Sequence, residues 1–110
     1  MTIFHQGEIV EFDFSPSVGS EPAYRRPALV VSSDDFNTMT SMTLVCPITT
    51  ANNGFPLHLP LPESLKTHGF VVVEQVRAFD LEARRAKAVE SLPKNSKFMS
   101  NIKTLIRSFL

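Results

Sequence analysis

The sequence predicts a mainly β fold of the α+β class. It reads as a small twisted barrel or strongly bent sheet of about five to seven short strands, capped by a C-terminal helix. Three observations carry this. Short apolar runs recur along the chain, some alternating with polar residues and some unbroken. Proline and glycine punctuate the gaps between them. A clear helical period appears in the final stretch.

Residues 8–14 alternate, with Val10, Phe12 and Phe14 facing one way and Glu11 and Asp13 the other, as in a half-buried strand. Residues 27–33 fit a buried strand that opens on Pro27, where a missing N–H is tolerated. Residues 34–41 are polar and read as a loop with room for a short helical turn. Residues 43–48 form a third strand, in which Pro47 implies an edge, a bulge or the strand's end. Residues 49–56 are a loop with Asn53 and Gly54 as its turn signal. Residues 57–61 alternate and fit an edge strand. Residues 69–80 are the longest strand candidate, which would put Gln75 and Arg77 on one face. Residues 86–89 follow the basic pair Arg84 and Arg85 as a short strand. Asn95 or Ser96 caps a final helix running to about Phe109. Its apolar positions Phe98, Ile102, Leu105, Ile106 and Phe109 share one face. No repeat or long linker divides the 110 residues, so residues 1–110 read as one domain.

Apolar residues make up 43% of the chain and charged residues 20%, which excludes a disordered composition. Nine phenylalanines and no tryptophan point to a Phe-rich core. Lys+Arg and Asp+Glu both number 11, so long-range charge steering is weak. A nucleic-acid partner would have to be held by a local cluster such as Arg25, Arg26, Arg77 and Arg84. Cys46 is the one cysteine; it lies in a strand pattern and reads as a buried, inert thiol. The N-terminus shows no signal-peptide pattern and no apolar run has membrane length, so the expected compartment is the cytoplasm. His5, His58 and His68 are scattered, with no ligand spacing that implies a metal or other cofactor, and each reads as surface or structural.

The segment from Phe14 to Pro27 carries the chemistry. It links two strand patterns through Gly19, Ser20, Glu21, Arg25 and Arg26. Strand flanks hold such a loop in place, and a carboxylate with two guanidiniums suits an anionic substrate and proton transfer.

The ordered motifs resemble those of the MazF/PemK/Kid toxins of bacterial toxin–antitoxin systems. Gly7 opens the first strand; residues 14–21 follow; then come Arg26 and Pro27 before an aliphatic strand, residues 47–50, residues 74–80 and the terminal helix. The likeness runs over nearly the whole chain. It implies an SH3-like barrel with a C-terminal helix and short accessory helices. It also implies a homodimeric, metal-independent endoribonuclease that cuts single-stranded RNA at short sequences and is neutralised by a MazE-like antitoxin. Attack by the 2′-hydroxyl would leave 2′,3′-cyclic phosphate and 5′-hydroxyl ends. The family's arginine falls on Arg26, its threonine on Thr49 and its loop glutamate on Glu21; its Gln-x-Arg segment falls on Gln75 and Arg77, with Asp80 beyond. Some relatives carry a helper histidine in the first loop; residues 15–25 here carry none.

Each position has a plainer reading. Arg26 fits stabilisation of a phosphoryl group gaining charge, or a structural pair with Glu21 or Asp13. Thr49, and Thr50 beside it, can donate a hydroxyl to a phosphate oxygen, or serve as turn residues. Glu21 fits a general base or a partner that holds Arg26, or plainly a solvated loop charge. Ser20, Arg25, Thr50, Phe55, Gln75 and Arg77 are candidate substrate contacts; Arg77 fits a phosphate contact or a cross-strand ion pair. Phe55 and Tyr24 suit base stacking or dimer contacts. Asp80 fits an acid/base group or, more plainly, a strand-end turn residue. A gyrase poison of the CcdB type on the same barrel is the competing function, and a plain SH3-like binding module a third.

Overall fold

The computed structural model describes residues 2–14 and 25–110. Seven strands, β1 (Glu8–Asp13), β2 (Arg25–Val30), β3 (Thr43–Thr49), β4 (His58–Pro60), β5 (Phe70–Val72), β6 (Arg77–Phe79) and β7 (Lys87–Ser91), pair antiparallel. They join in the order β4-β5-β3-β2-β1-β7, with β6 also on β3. Among the described residues there are two α-helices, α1 (Asp34–Thr40) and the C-terminal α2 (Lys97–Ser108). No helix among the described residues is long and apolar enough to cross a membrane.

Both faces of the central strands are buried, which explains why 28–31 is an unbroken apolar run rather than an alternating one. Val10, Phe12, Ala28, Val30, Val45 and Phe79 point into one core. Their neighbours Ile9, Leu29, Cys46 and Ile48 point into another, which Met99 and Ile102 of α2 close. Cys46 is fully buried, and loss of hydration pushes its thiol up to about 12. The phenylalanines divide. Phe12, Phe14 and Phe79 form a ring cluster with centroids 4.3 to 5.5 Å apart; Phe55 and Phe109 are exposed.

Helix α2 begins as expected, with the Ser96 hydroxyl accepting the Met99 N–H at 3.3 Å. Its deepest residues are Met99 and Ile102, while Phe109, expected on the buried face, lies past the helix end and is exposed. Within residues 34–41 the short helical turn allowed for is realised as α1, Asp34–Thr40, whose first turn is capped by the Ser33 hydroxyl accepting the Phe36 N–H. β2 begins two residues before Pro27, at Arg25.

Two further departures concern β3 and the run after it. Pro47 lies within a strand that has partners on both sides. On one side Pro47 faces Ala28 of β2. On the other, β6 covers 43–45 and β5 covers 48 and 49, so Pro47 sits in the gap between two partners, where no donor is missed. Residues 69–80 are not one strand. A 3-10 turn, Val73–Gln75, divides them into β5 and β6, which therefore pair with different stretches of β3. Gln75 and Arg77 consequently do not share a strand face. The propensity of the Val-rich run was real, but the strand had to break to follow the bend of β3.

Glu90 of β7 fixes the 62–68 segment, accepting the backbone N–H groups of Lys66 (3.0 Å) and Thr67 (2.6 Å) and the Thr67 hydroxyl. The Thr67 hydroxyl, then the two backbone donors, hold its carboxyl below the usual range. A carboxyl depressed in the folded state stabilises above its unfolded titration, and that contribution fades as pH falls through the folded one. Glu90→Gln should therefore cost on the order of 1 kcal/mol at pH 7. The gap from the parent should narrow below about pH 4, as measured by urea unfolding across pH.

Candidate active site

A cavity of about 510 Å3 is lined by residues of β2, β3, β4 and β5 and of the loops beside them. Its walls include Phe14, Arg26, Pro27, Thr49, Thr50, Asn53, His58, His68 and Gln75. Four of the expected residues, Arg26, Thr49, Thr50 and Gln75, thus come together from β2, the end of β3 and the 3-10 turn. Ser20 and Glu21 lie outside the described residues, as does Tyr24.

Strand alternation separates the two neighbouring arginines. Arg26 pairs across the sheet with Phe12, on the side of the Phe cluster, and its side chain enters the cavity. Among the described residues its guanidinium has no hydrogen-bond or ion-pair partner. Arg25 pairs with Asp13 and turns the other way. Its guanidinium meets the Asp13 carboxylate at 3.4 Å and the carbonyls of Glu11 and Arg85 at 2.8 and 3.0 Å. The Asp13 carboxylate also accepts from Arg85 at 3.0 Å. Asp13 was expected to face outward; it is 5% exposed because these two arginines enclose it. It is Arg25, then, that takes the structural ion pair considered for Arg26.

Arg77 and Arg84 also lie away from the cavity, with guanidinium carbons 4.6 and 4.7 Å from the Phe79 ring centre. Arg84 additionally donates to the carbonyls of Asp13 and Phe14 at 3.1 and 2.9 Å, holding the chain where the 15–24 segment leaves β1. Asp80 accepts the Ala83 N–H, as a turn residue does.

Thr49 has both roles open to it. Its hydroxyl oxygen accepts the Ala51 N–H at 3.2 Å, which fixes the turn out of β3. Its own hydrogen has no acceptor among the described residues and is available to a ligand.

Among the wall residues that the sequence reading did not assign to the site are His58 and His68, which it took as surface or structural. His58 is 11% exposed in its side chain and clamped on both sides. Its Nδ1 lies 3.0 Å from Asn53 Oδ1 and its Nε2 2.9 Å from Glu74 Oε2. Phe55, an expected substrate contact, does not line the cavity; its ring meets the His58 ring edge-on at 5.2 Å. The available signal was His58 itself, the polar residue of the alternating 57–61 run.

The folded chain presents a curved antiparallel sheet with a cavity of mixed apolar and polar lining, into which come a guanidinium and a hydroxyl hydrogen that have no partner among the described residues, the makings of a site for an anionic, phosphate-bearing ligand. The family model described as PemK-like, MazF-like toxin of type II toxin–antitoxin system matches residues 5–110, and the chain belongs to that family. It is 46% identical over 94 residues to the endoribonuclease toxin ChpB of Escherichia coli K12, covering 78% of each chain. Against the endoribonuclease toxin MazF of the same organism it is 36% identical over 80 residues, covering 73% of this chain and 71% of the relative. Among solved structures, a MazE–MazF crystal structure from Deinococcus radiodurans matches with a TM-score of 0.84 at 29% identity, over 98% of this chain and 96% of the other.

Gly69 brings the last wall into place. Its φ is +136°, and a Cβ there would stand 2.5 Å from the Thr49 carbonyl oxygen. Gly69→Ala should therefore destabilise by more than about 1 kcal/mol. Gly54→Ala, with φ +73° but no atom within 4 Å of the added carbon, should cost less, since only the backbone is strained. Denaturant titration of the two variants checks the order.

Proposed function

We propose that this protein is an endoribonuclease toxin that cleaves single-stranded RNA at short sequences without a metal ion. The observation that carries this reading is the meeting of Arg26, unpaired among the described residues, and the Thr49 hydroxyl in one cavity. Membership of the PemK/MazF toxin family and the endoribonuclease names of its relatives support it. The same names favour it over a gyrase poison.

In this mechanism the 2′-oxygen attacks the adjacent phosphorus. The O2′–P bond forms as the P–O5′ bond breaks, leaving a 2′,3′-cyclic phosphate and a 5′-hydroxyl. Arg26 stabilises the charge that builds on the non-bridging oxygens, acting through its fixed positive charge rather than by proton transfer. Thr49 donates its hydroxyl to one of those oxygens. Glu21 takes the 2′-hydroxyl proton. Thr50 and Gln75 contact the substrate from the wall. Arg25 serves by tying the start of β2 to Asp13 and to the Glu11 and Arg85 carbonyls, so that Arg26 keeps its aim.

We further infer that residues 1–110 act as one toxin domain in the cytoplasm, and as a homodimer whose paired surfaces lengthen the RNA groove. A MazE-like antitoxin neutralises it; the MazE–MazF complex among the similar structures supports such a partner.

Cleavage of a fluorogenic RNA should persist in excess EDTA and yield cyclic-phosphate ends. A single 2′-deoxy substitution at the scissile position should abolish it. Loss of turnover on chelation, or cutting of the 2′-deoxy substrate, would refute the mechanism.

A further inference from the structure

The cleavage mechanism above lacks one part. The departing 5′-oxygen needs a proton, and neither a guanidinium nor a threonine hydroxyl gives one up readily near neutral pH. A carboxylate that has just served as base starts without a proton to give. Imidazole is the side chain whose ordinary charge change falls nearest neutrality, and protonated it is an effective donor. The cavity holds two imidazoles, on His58 and His68.

Their surroundings differ. His58 has both ring nitrogens occupied, by Asn53 and by Glu74. It braces the wall, tying the 50–57 segment to the 3-10 turn that carries Gln75. His68 has no hydrogen-bond partner among the described residues, and its ring is solvent-accessible in the cavity.

The backbone sets His68 beside the chemistry. Phe70 pairs with Thr49 across β5 and β3, and Gly69 lies against the Thr49 carbonyl. His68 is next along that antiparallel run, alongside the residues that follow Thr49, and Ala51 lines the cavity with it. Gly69 allows this close approach, since any side chain there would push His68 away from Thr49.

We propose that His68 is the general acid of the reaction, donating its ring proton to the 5′-oxygen as the P–O5′ bond breaks. This rests on the ribonuclease reading above. The bookkeeping balances: the base takes the 2′-hydroxyl proton, His68 gives one to the 5′-oxygen, and solvent returns both groups to their starting states. The other charged or titratable residues lining the cavity are Arg26 from β2 and His58 from β4, and His58 is paired with Glu74 of the 3-10 turn.

The test uses the full-length protein and two RNAs, one natural and one with sulfur replacing the bridging 5′-oxygen at the scissile bond. A thiolate departs without a proton. His68→Ala and His68→Gln should slow cleavage of the natural RNA by about 10²- to 10⁴-fold and abolish the fall in rate at alkaline pH. Binding of a 2′-deoxy RNA should be retained. On the sulfur-bridged RNA both variants should approach the parent rate, and added imidazole should partly rescue His68→Ala on the natural one. The proposal is overturned if either folded variant cleaves natural RNA within about threefold of the parent and keeps the alkaline limb. It is equally overturned if the variants are as slow on the sulfur-bridged RNA as on the natural one, which would mark a structural or binding role. A parent protein that cuts neither RNA overturns the ribonuclease reading, and this assignment with it.

Discussion

The strand β3 is the constraint on which the rest of the structure depends. It takes β2 along one edge and two successive partners, β6 then β5, along the other. The change of partner bends the sheet and breaks the run from 69 to 80 into two strands and a 3-10 turn. It also delivers Thr49 at the end of β3 with Arg26 on one side and the 68–70 segment on the other. A straight β3 with one partner per edge would carry these groups apart. Pro47 is compatible with this because its absent N–H falls in the interval that neither β6 nor β5 covers.

Burial on both faces of the central strands makes the site rigid. Successive residues of β1, β2 and β3 enter opposite cores, so a rotation or one-residue slip of any strand would exchange two apolar sets of different size. Against that frame, the alternation at Arg25 and Arg26 gives adjacent guanidiniums different work. One is absorbed by Asp13 and backbone carbonyls, and the other is left facing the cavity. The Phe12–Phe14–Phe79 cluster continues the core to the cavity's edge, where Phe14 is part of the wall.

Much of this was legible in the sequence. Alternation placed β1, Ser96 placed the start of α2, and the solid run after Pro27 placed β2. The motif order from Gly7 to Asp80 pointed to Arg26, Thr49, Thr50 and Gln75, which the fold gathers. What escaped depended on tertiary context. The break at 73–75 follows from the bend of β3, not from any local breaker in a Val-rich run. The burial of Asp13 depends on Arg85, distant in sequence, and so does the outward turn of Arg25. His58 and His68 looked scattered because their shared position on the cavity wall arises only when β4 and β5 pair.

The most direct test of the central claim is single-turnover RNA cleavage by Arg26→Ala, alongside its circular dichroism and its binding of uncleavable 2′-deoxy RNA. Arg26 has no partner among the described residues, so its loss should leave the fold intact. Removing the charge stabiliser should slow cleavage by about 10²- to 10³-fold, with only a modest loss of binding. A folded Arg26→Ala protein that cleaves at the parent rate would contradict the account.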